Sequence, residues 1–359
     1  MSGPPSISSF QSDKPLLEHL TIDLLITIFS HTFMNPGFAI LLPLAYRAQT
    51  YHYNSPPFIY SSIYAGIVIV LFVWKFINKR LAFGKKREFD WTEEVVVITG
   101  GSSGLGLLIA ETYGMRGVSV AVLDVREPEG GEARNVAYYK CDVGDRKQVE
   151  AAAKEIERDL GTPTVLINNA SIVHGKSVLD LTYDEIDKTF QSNTLSAFYT
   201  TKQFLPGMKR LNKGSLITIS SVLSSVAPAN TSAYSASKAA LKAFHSCVTA
   251  ELAGTHPGIK TLLVCPGQLQ TPMFEGVDTP SNFFAPVLEP VEVAKEIIAA
   301  IDEGAGGIIA MPAYARWIGI MDILPVSFQR GLRWLSGCDT AMTGFKGRGE
   351  IKEEEGDDE

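Results

Sequence analysis

The chain has 359 residues, of which 45% are hydrophobic and 20% charged, with 31 Gly, 19 Pro and 4 Cys, and this composition excludes a disordered, a collagen-like and a disulfide-built protein. The formal net charge of -7 offers no basic surface for a polyanion, so we expect no nucleic-acid partner. The cysteines lie far apart, with no C-x-x-C pair and no His at metal-ligand spacing, so neither a metal site nor a disulfide framework is expected.

The N-terminal part shows an apolar pattern typical of a membrane anchor, which we place at residues 21–80. Residues 1–20 are rich in Ser and Pro and lack a basic start, which predicts a disordered N-terminus and no cleavable signal peptide. Residues 56–74 carry no charge, and at 1.5 Å per residue they extend for about 29 Å, the thickness of the hydrocarbon layer. This predicts a membrane span over about residues 56–77, with a buried helix of a soluble fold as the alternative.

Charges on either side of this span predict its orientation. The segment that follows it is basic, with Lys75, Lys79, Arg80, Lys85, Lys86 and Arg87. Arg47 is the only Lys or Arg between the two apolar stretches, so the positive-inside rule places the downstream part in the cytosol. The earlier stretch, residues 24–46, is broken by Asn-Pro-Gly at 35–37 and by Pro43, which leaves open a second span, a re-entrant hairpin or an interfacial helix.

From residue 90 onward the pattern changes to short β-branched runs that alternate with stretches of helical period. The predicted strands begin at Val95, Val118, Thr164, Ser215, Lys260 and Gly307, and the predicted helices cover residues 149–160, 183–211, 232–252 and 291–301. Continuous apolar strands separated by helices are typical of a parallel sheet that is covered on both faces. The pattern therefore predicts a single α/β domain over residues 90–312, a Rossmann-type doubly wound parallel sheet that follows N-terminal membrane-anchoring helices.

The first predicted strand runs into a glycine-rich segment, TGGSSGLG at residues 99–106, and a helical pattern follows it. Parallel sheets of this kind bind ligands at the carboxyl ends of their strands. Gly100 permits a tight turn, Gly104 lets the backbone approach a pyrophosphate, and Gly106 lets the helix pack against the strand. The segment therefore predicts a dinucleotide-binding loop at the N-terminus of this helix.

A carboxylate ends the next predicted strand. Asp124 lies about 20 residues beyond the glycines, where an acidic residue accepts the hydroxyls of the adenosine ribose. A 2′-phosphate would meet this negative charge, so the residue favours NAD over NADP. Arg126, two positions further on, could neutralise such a phosphate and keeps NADP open.

Tyr234 and Lys238, in YSASK, are four residues apart on a predicted helix and therefore lie on one face. A Lys ammonium beside a phenol favours the phenolate, and lowering a Tyr pKa from about 10 to about 7 takes roughly 4 kcal/mol. Tyr234 could then exchange a proton with an alcohol or carbonyl oxygen near neutral pH. Taken alone, the two residues are more typical of an ordinary exposed pair. Ser221, however, ends a predicted strand and places a hydroxyl at the same edge of the sheet.

These motifs occur in the order and at the spacings of one known family. The glycine spacing G-x-x-x-G-x-G is followed by Cys141-Asp142-Val143, Asn168-Asn169-Ala170, Asn193, Ser221, Tyr234, Lys238, Pro266-Gly267 and Thr271. Over residues 93–312 the chain thus resembles the short-chain dehydrogenase/reductase family. It departs from the family pattern at Ser171, where the family usually has Gly.

The resemblance implies an NAD(P)-dependent enzyme in which the nicotinamide carries the hydride and the protein moves the proton. It implies that Ser221 polarises the substrate oxygen and that Asn193 carries a water linking Lys238 to solvent, so that these three and Tyr234 form the catalytic set. The residues that the resemblance assigns to the cofactor are Gly100, Ser102, Ser103, Gly104, Leu105, Gly106, Asp124, Asp142, Val143, Asn169, Ala170, Tyr234, Lys238, Pro266, Gly267 and Thr271.

Two stretches near the C-terminus are apolar without a strand pattern. Residues 272–290 have no clear period, and this predicts a lid over an apolar substrate. The lid carries Met273, Phe274, Phe283 and Phe284. Residues 313–340 contain an apolar segment interrupted by Asp322 and Pro325, which favours an interfacial helix pair over a helix packed on its own domain. The strongly acidic end, residues 346–359, predicts a solvated disordered tail.

The anchor, the basic segment and the apolar lid together resemble the membrane-bound branch of the family, which acts on retinoids, 17-beta-hydroxysteroids and related lipids. The expected function is the interconversion of an alcohol and a carbonyl on a lipophilic substrate, at the endoplasmic reticulum membrane or a lipid droplet, with the catalytic domain facing the cytosol. A non-catalytic nucleotide-binding scaffold and an isomerase or epimerase on the same fold are the alternatives. The resemblance also leaves open a homodimer.

Overall fold

The computed structural model describes residues 20–128, 131, 133–277, 279 and 281–347. The predicted disordered N-terminus and the predicted acidic tail fall almost wholly outside these residues. Within them the chain divides into two units. The first contains the residues up to Trp74 together with residues 281–286, and the second contains the rest.

The first unit is built from apolar helices. These are α1 (Ile22–Thr32), α2 (Pro36–Ala48) and most of α3 (Pro56–Phe83). Asn35 caps α2, because its Oδ1 accepts the Gly37 N–H at 2.8 Å, and Pro36 then starts the helix. The chain bends by 52° between α1 and α2. Among the described helices, α3 is long and apolar enough to cross a membrane by itself, whereas α1 and α2 pass that test only as a bent pair.

The second unit contains a seven-stranded parallel sheet. Its strands are β1 (Val95–Thr99), β2 (Ser119–Asp124), β3 (Val136–Lys140), β4 (Val165–Asn168), β5 (Gly214–Ile219), β6 (Ile259–Pro266) and β7 (Gly307–Met311). They stand in the order β3-β2-β1-β4-β5-β6-β7, and each neighbouring pair is parallel. The order reverses beside β1, which confirms the predicted doubly wound Rossmann-type fold.

Helices cover both faces of the sheet. They are α4 (Gly104–Met115), α5 (Arg146–Asp159), α6 (Tyr183–Phe190), α7 (Ser196–Leu211), α8 (Ser232–Ala253) and α9 (Pro290–Asp302), and α10 (Val326–Ser336) follows the last strand. Alternate side chains of β1 point to opposite faces of the sheet. Ile98 packs with Ile109 of α4 and Ile297 of α9, whereas Val97 packs with Ile156 of α5 and with α7 and α8. Both layers are fully buried, which explains why the central strands are continuously apolar.

Two local features were not predicted from the sequence. β3, with the sequence VAYYK, is an additional edge strand whose residues are only partly buried. The single helix predicted over residues 183–211 is interrupted by a π-helical turn, Gln191–Leu195, between α6 and α7. Such turns insert one extra residue, and they concentrate at functional sites.

A buried ion pair lies at the amino edge of the sheet. The Arg87 guanidinium contacts the Glu94 carboxylate, and their side chains are 4% and 0% exposed. Arg87 also donates to Ser215 Oγ at 3.0 Å, while Glu94 pairs with Lys213 at 2.9 Å and accepts the Thr164 hydroxyl. These residues precede or begin β1, β4 and β5, so the cluster fastens three strand starts to the segment that follows α3.

The end of α3 is also tied to this edge of the sheet. Lys260, near the start of β6, donates through Nζ to the Phe83 carbonyl at 3.1 Å. The Arg87 N–H donates to the Gly304 carbonyl, just before β7, at 2.8 Å. The chain therefore leaves α3 at the amino ends of the strands.

Candidate active site

A cavity of about 220 Å³ lies at the carboxyl edge of the sheet. It is lined by the glycine loop after β1, by the ends of β2 and β6, by the segments after β3, β4 and β5, and by α8. Most of the residues singled out from the sequence meet there. Ser102, Gly106 and Asn193 do not line the cavity.

The glycine loop contains two residues with positive φ angles. Gly100 and Gly104 have φ angles of 65° and 57°, which L-residues rarely adopt. A Cβ at Gly106 would lie 2.3 Å from the Gly100 carbonyl oxygen, so only glycine lets α4 start this close to β1. α4 begins at Gly104, and Ser103, Gly104 and Leu105 line the cavity, so the N-terminus of this helix borders it, which suits a pyrophosphate.

Asp124 is fixed by backbone donors. Its Oδ2 accepts the Ser102 N–H at 3.0 Å and its Oδ1 accepts the Arg126 N–H at 3.2 Å. Each oxygen keeps a second lone pair, so the carboxylate still suits ribose hydroxyls. Asp142 also lines the cavity, and its Oδ1 accepts the Gly144 N–H at 2.8 Å.

The segment after β4 is locked to the end of β1. Asn169 donates through Nδ2 to the Gly100 carbonyl at 2.8 Å and to the Thr99 carbonyl at 3.1 Å. The Ala170 N–H donates to Thr99 Oγ1 at 3.0 Å. These bonds fix the wall of the cavity beside the glycine loop.

Tyr234 and Lys238 are both buried, at 6% and 2% exposure, on the face of α8 that borders the cavity. Lys238 Nζ donates to the Ile219 carbonyl at 2.9 Å and lies 5.7 Å from the Tyr234 ring centroid. Burial lowers the pKa of Lys238 to about 8. Burial raises the pKa of Tyr234 to about 12, and the hydroxyls of Ser221 and Ser171 oppose that rise.

This pKa differs from the value near 7 expected from the sequence. Removal from water disfavours the phenolate, and the effect of burial exceeds that of the neighbouring hydroxyls. With a pKa near 8, Lys238 loses its proton before Tyr234 ionises, so no ammonium is present to stabilise the phenolate. The protein groups described here therefore keep Tyr234 protonated near neutral pH.

The serines after β5 have different partners. Ser220 donates to the Lys238 carbonyl at 3.0 Å, and Ser224 donates to the Ser221 carbonyl at 2.7 Å. Ser221 lines the cavity, accepts the Leu223 N–H at 3.1 Å, and faces the Tyr234 phenol. The geometry thus distinguishes Ser221 from its neighbours, which the sequence alone did not do.

Asn193 lies in the π-helical turn and is 1% exposed. Its Oδ1 accepts the Ile172 N–H at 2.7 Å, and its Nδ2 donates to the Ile172 carbonyl at 2.9 Å and to Ser237 Oγ at 3.0 Å. Both amide protons are therefore used within the protein. The side chain holds the segment after β4 against α8, a role that the sequence did not reveal.

The segment after β6 forms the remaining wall. The Gly267 N–H donates to the Met311 carbonyl at 2.7 Å, and Pro266, Gly267 and Thr271 all line the cavity. Of the predicted lid residues, Met273 and Phe274 line the cavity, and the Phe274 ring lies 5.8 Å from the Tyr234 ring. Phe283 and Phe284 belong to the first unit.

The profile of a family described as short chain dehydrogenase matches residues 94–282, more than half of the chain. The chain is a short-chain dehydrogenase. This confirms the resemblance drawn from the motifs, and it makes the protein an oxidoreductase enzyme of a family that uses NAD(P).

This short-chain dehydrogenase is 34% identical to Short-chain dehydrogenase/reductase 3 of Homo sapiens over 268 residues, which cover 72% of this chain and 88% of that protein. It is 36% identical to Epidermal retinol dehydrogenase 2 of Mus musculus over 218 residues, which cover 58% and 71% of the two chains. Among solved structures it resembles ligand-free aldohexose dehydrogenase of Thermoplasma acidophilum, with 26% identity, a TM-score of 0.52, and coverage of 62% of this chain and 91% of that one.

The residues of this short-chain dehydrogenase fit an NAD(P) molecule. The positive φ angles of the glycine loop, the N-terminus of α4 and the carboxylate of Asp124 lie along one cavity with Tyr234. The motif matches missed several other lining residues. These are Leu123, Val125, Ser171, Ile172, Ser192, Ile219 and Leu269. Most of them are apolar or belong to loops, and only Ser171 had a sequence signal, its departure from the family's Gly.

Proposed function

We propose that this short-chain dehydrogenase interconverts an alcohol and a carbonyl on a lipophilic substrate, with NAD as the hydride carrier and Tyr234 as the general acid and base. The observation that carries the proposal is a single cavity lined both by Asp124, at the end of β2, and by Tyr234, Ser221 and Lys238. One site thus combines a carboxylate suited to a nucleotide with a buried proton donor.

The proton chemistry follows from the groups around Tyr234. Bound nicotinamide supplies or accepts the hydride. Ser221 Oγ donates a hydrogen bond to the substrate oxygen, and the Tyr234 phenol gives that oxygen a proton during reduction or takes one during oxidation. Lys238 lies beside Tyr234 with a pKa near 8, so it can pass a proton onward near neutral pH.

In this proposal the proton path beyond Lys238 does not run through the Asn193 side chain. Both Nδ2 protons of that amide are donated within the protein, to the Ile172 carbonyl and to Ser237 Oγ. We therefore assign the water-binding role to the Asn193 backbone, which lies in the π-helical turn, since such turns concentrate at functional sites.

The substrate class is argued from the apolar part of the wall. Ile172, Leu269, Met273 and Phe274 line the cavity beside Tyr234, and such a wall favours an apolar molecule. Relatives named as retinol dehydrogenases support the same class. The substrate proposed is a retinoid, a steroid or another lipid alcohol or ketone.

The preference for NAD rests on Asp124. Its carboxylate would repel a 2′-phosphate, and it is held in place by the Ser102 and Arg126 N–H groups. Titration of the full-length protein with NADH and NADPH tests this preference, with Asp124→Ser as the variant. We expect tighter binding of NADH and a relative gain for NADPH of about tenfold in Asp124→Ser; equal affinities in the natural protein would contradict the assignment.

The membrane assignment rests on α3. Its most apolar stretch is only 17% buried in the protein, whereas a core helix of a soluble fold would be mostly buried. Apolar side chains on all sides of a helix of this length suit lipid. Lys75, Lys79 and Arg80 follow that stretch, which supports a cytosolic second unit attached to the endoplasmic reticulum membrane or a lipid droplet.

Residues 313–340 supply a second membrane contact in this proposal. Their first half forms short 3₁₀ turns, and only the second half is an α-helix, α10. The exposed apolar side chains here are Trp317, Ile320, Ile323, Val326, Phe328, Leu332, Trp334 and Leu335. Arg316 and Arg330 are exposed among them, and cationic side chains beside tryptophans suit an interface with anionic headgroups.

Turnover of the full-length protein in detergent micelles tests the proposed reaction. Nicotinamide absorbance is followed with a retinoid, a 17-beta-hydroxysteroid and a long-chain alcohol, each with NAD and NADP. We expect turnover of at least one, lost by a factor of about 10²–10⁴ in Tyr234→Phe and retained in Tyr183→Phe, whose side chain is exposed. Tight nucleotide binding without turnover of any alcohol would favour the non-catalytic scaffold instead.

Attachment to the membrane is tested on the full chain in isolated microsomes. We expect resistance to extraction at high pH, and loss of that resistance when Ile69, Leu71 and Val73 of α3 are changed to Asp. Added protease should digest the second unit without detergent, because it faces the cytosol. Protection from protease would contradict the orientation.

A further inference from the structure

Ser171 occupies a fixed place beside the reacting groups. It follows Asn169-Ala170 after β4, where the family usually has Gly, and it lines the active-site cavity. The backbone is held on both sides of it. The Ala170 N–H donates to Thr99 Oγ1 at 3.0 Å, and the Ile172 N–H donates to Asn193 Oδ1 at 2.7 Å. With the backbone fixed, a single side-chain rotation sets the position of the hydroxyl.

The hydroxyl of Ser171 is set apart by its surroundings. Its Oγ is buried, yet it has no hydrogen bond of good geometry to any residue in the described part of the chain. Ser171 and Tyr234 line the same cavity, and the Ser171 hydroxyl opposes the rise that burial causes in the pKa of Tyr234. Buried hydroxyls normally have partners, so this one is suited to a group whose charge changes during the reaction.

We propose that Ser171 is a catalytic residue, whose hydroxyl donates a hydrogen bond to the Tyr234 phenolic oxygen and leaves Ser221 free to bind the substrate oxygen. The inference rests on the proposed role of Tyr234 in proton transfer. In this proposal Ser171 binds the phenolic oxygen and Ser221 binds the substrate oxygen. Gly in this position would provide no donor, and the phenolate would then depend on Ser221 alone.

The groups around Tyr234 allow this contribution to be isolated. Lys238 lies on the same helix, and His174 and Lys176 border a small second cavity that also touches Tyr234. From the lid side, Phe274 presents an apolar ring. The groups that oppose the effect of burial on Tyr234 are the two hydroxyls, so removing one of them should move the titration of the phenol without altering another charge.

The test compares the pH dependence of oxidation by the full-length protein with that of Ser171→Ala and Ser171→Gly. Both variants lose a hydrogen bond to a charged oxygen, which should move the acidic limb of the kcat/KM profile upward by about one pH unit. At pH values below that limb, kcat/KM should fall by about tenfold. KM for the nucleotide should not change. Ser171→Thr keeps the hydroxyl and should restore the limb. Ser225→Ala, a serine held by Lys242 outside the cavity, is the control.

A second readout does not require turnover. The phenolate of Tyr234 is titrated by ultraviolet absorbance with saturating NAD, as the difference between each protein and its Tyr234→Phe counterpart. The midpoint should be about one pH unit higher in Ser171→Ala than in the natural protein. An unchanged midpoint and limb, or a rate loss that is equal at every pH, would overturn the role of Ser171. A shifted midpoint in a protein that oxidises no alcohol in the panel would instead leave Ser171 in place and refute the proposed function.

Discussion

The buried ion pair at the amino edge of the sheet gives a sharp stability prediction, because its two members are not equally replaceable. Glu94→Gln keeps the size of the side chain but removes its charge. The Arg87 guanidinium is then left 4% exposed without a counter-charge. Breaking a buried pair in this way costs about 3–5 kcal/mol.

The reverse change should cost less. In Arg87→Met the Glu94 carboxylate still faces Lys213 at 2.9 Å and still accepts the Thr164 hydroxyl, so its charge remains compensated. The loss is then that of the hydrogen bonds to Glu94, to Ser215 and to the Thr164 carbonyl, roughly 1–3 kcal/mol. We therefore expect Glu94→Gln to be more destabilising than Arg87→Met by about 2 kcal/mol.

Thermal unfolding of the full chain in detergent, followed by tryptophan fluorescence, measures the difference. At about 2–4 °C per kcal/mol for a domain of this size, Glu94→Gln should lower Tm by roughly 10 °C and Arg87→Met by about half as much. Glu150→Gln, which breaks the exposed Arg146–Glu150 pair on α5, is the control and should change Tm by less than about 2 °C. If Arg87→Met lowers Tm as much as Glu94→Gln does, the argument from the Lys213 counter-charge is wrong.

Three further predictions concern the active site. Burial lowers the pKa of Lys238 from 10.5 to about 8. Between these pH values the unfolded chain binds more protons than the folded protein, so stability rises with pH across this window. Lys238→Met should remove that rise, which is measured as Tm against pH. Gly106→Ala places a Cβ 2.3 Å from the Gly100 carbonyl oxygen, which should cost about 1–3 kcal/mol and weaken NADH binding more than tenfold by fluorescence titration, whereas unchanged binding would show that α4 can shift freely. Asn193→Ala removes three hydrogen bonds that hold Ile172 and Ser237 and should lower both Tm and kcat; a loss of kcat at constant Tm would show that its role is purely chemical.

The central strands were predictable because their physical requirements are local. β1, β4, β5 and β6 are buried on both faces, and this burial appears in the sequence as apolar runs. β3 was missed because an edge strand is buried only in part, so VAYYK lacks such a run. Its pairing with β2 supplies the stability that its composition does not show.

The missed features of the active site depend on contacts between distant segments. The π-helical turn has the sequence QSNTL, so no Gly or Pro marks it as a break in the helix. The partners of Asn193 come from residues 172 and 237, which no spacing rule connects. The pKa of Tyr234 depends on how deeply α8 is buried, and the motif alone suggested the opposite direction.

Phe83 and Arg87 are attached to the sheet at the edge opposite the cavity. Within the second unit, Phe83 and Arg87 are bound at the amino ends of the strands, and the cavity lies at their carboxyl ends, about 17–20 Å away for strands of five or six residues. None of Phe83, Arg87, Glu94 and Lys260 lines the cavity, so substitutions in this fastening can accumulate without changing a cavity-lining side chain.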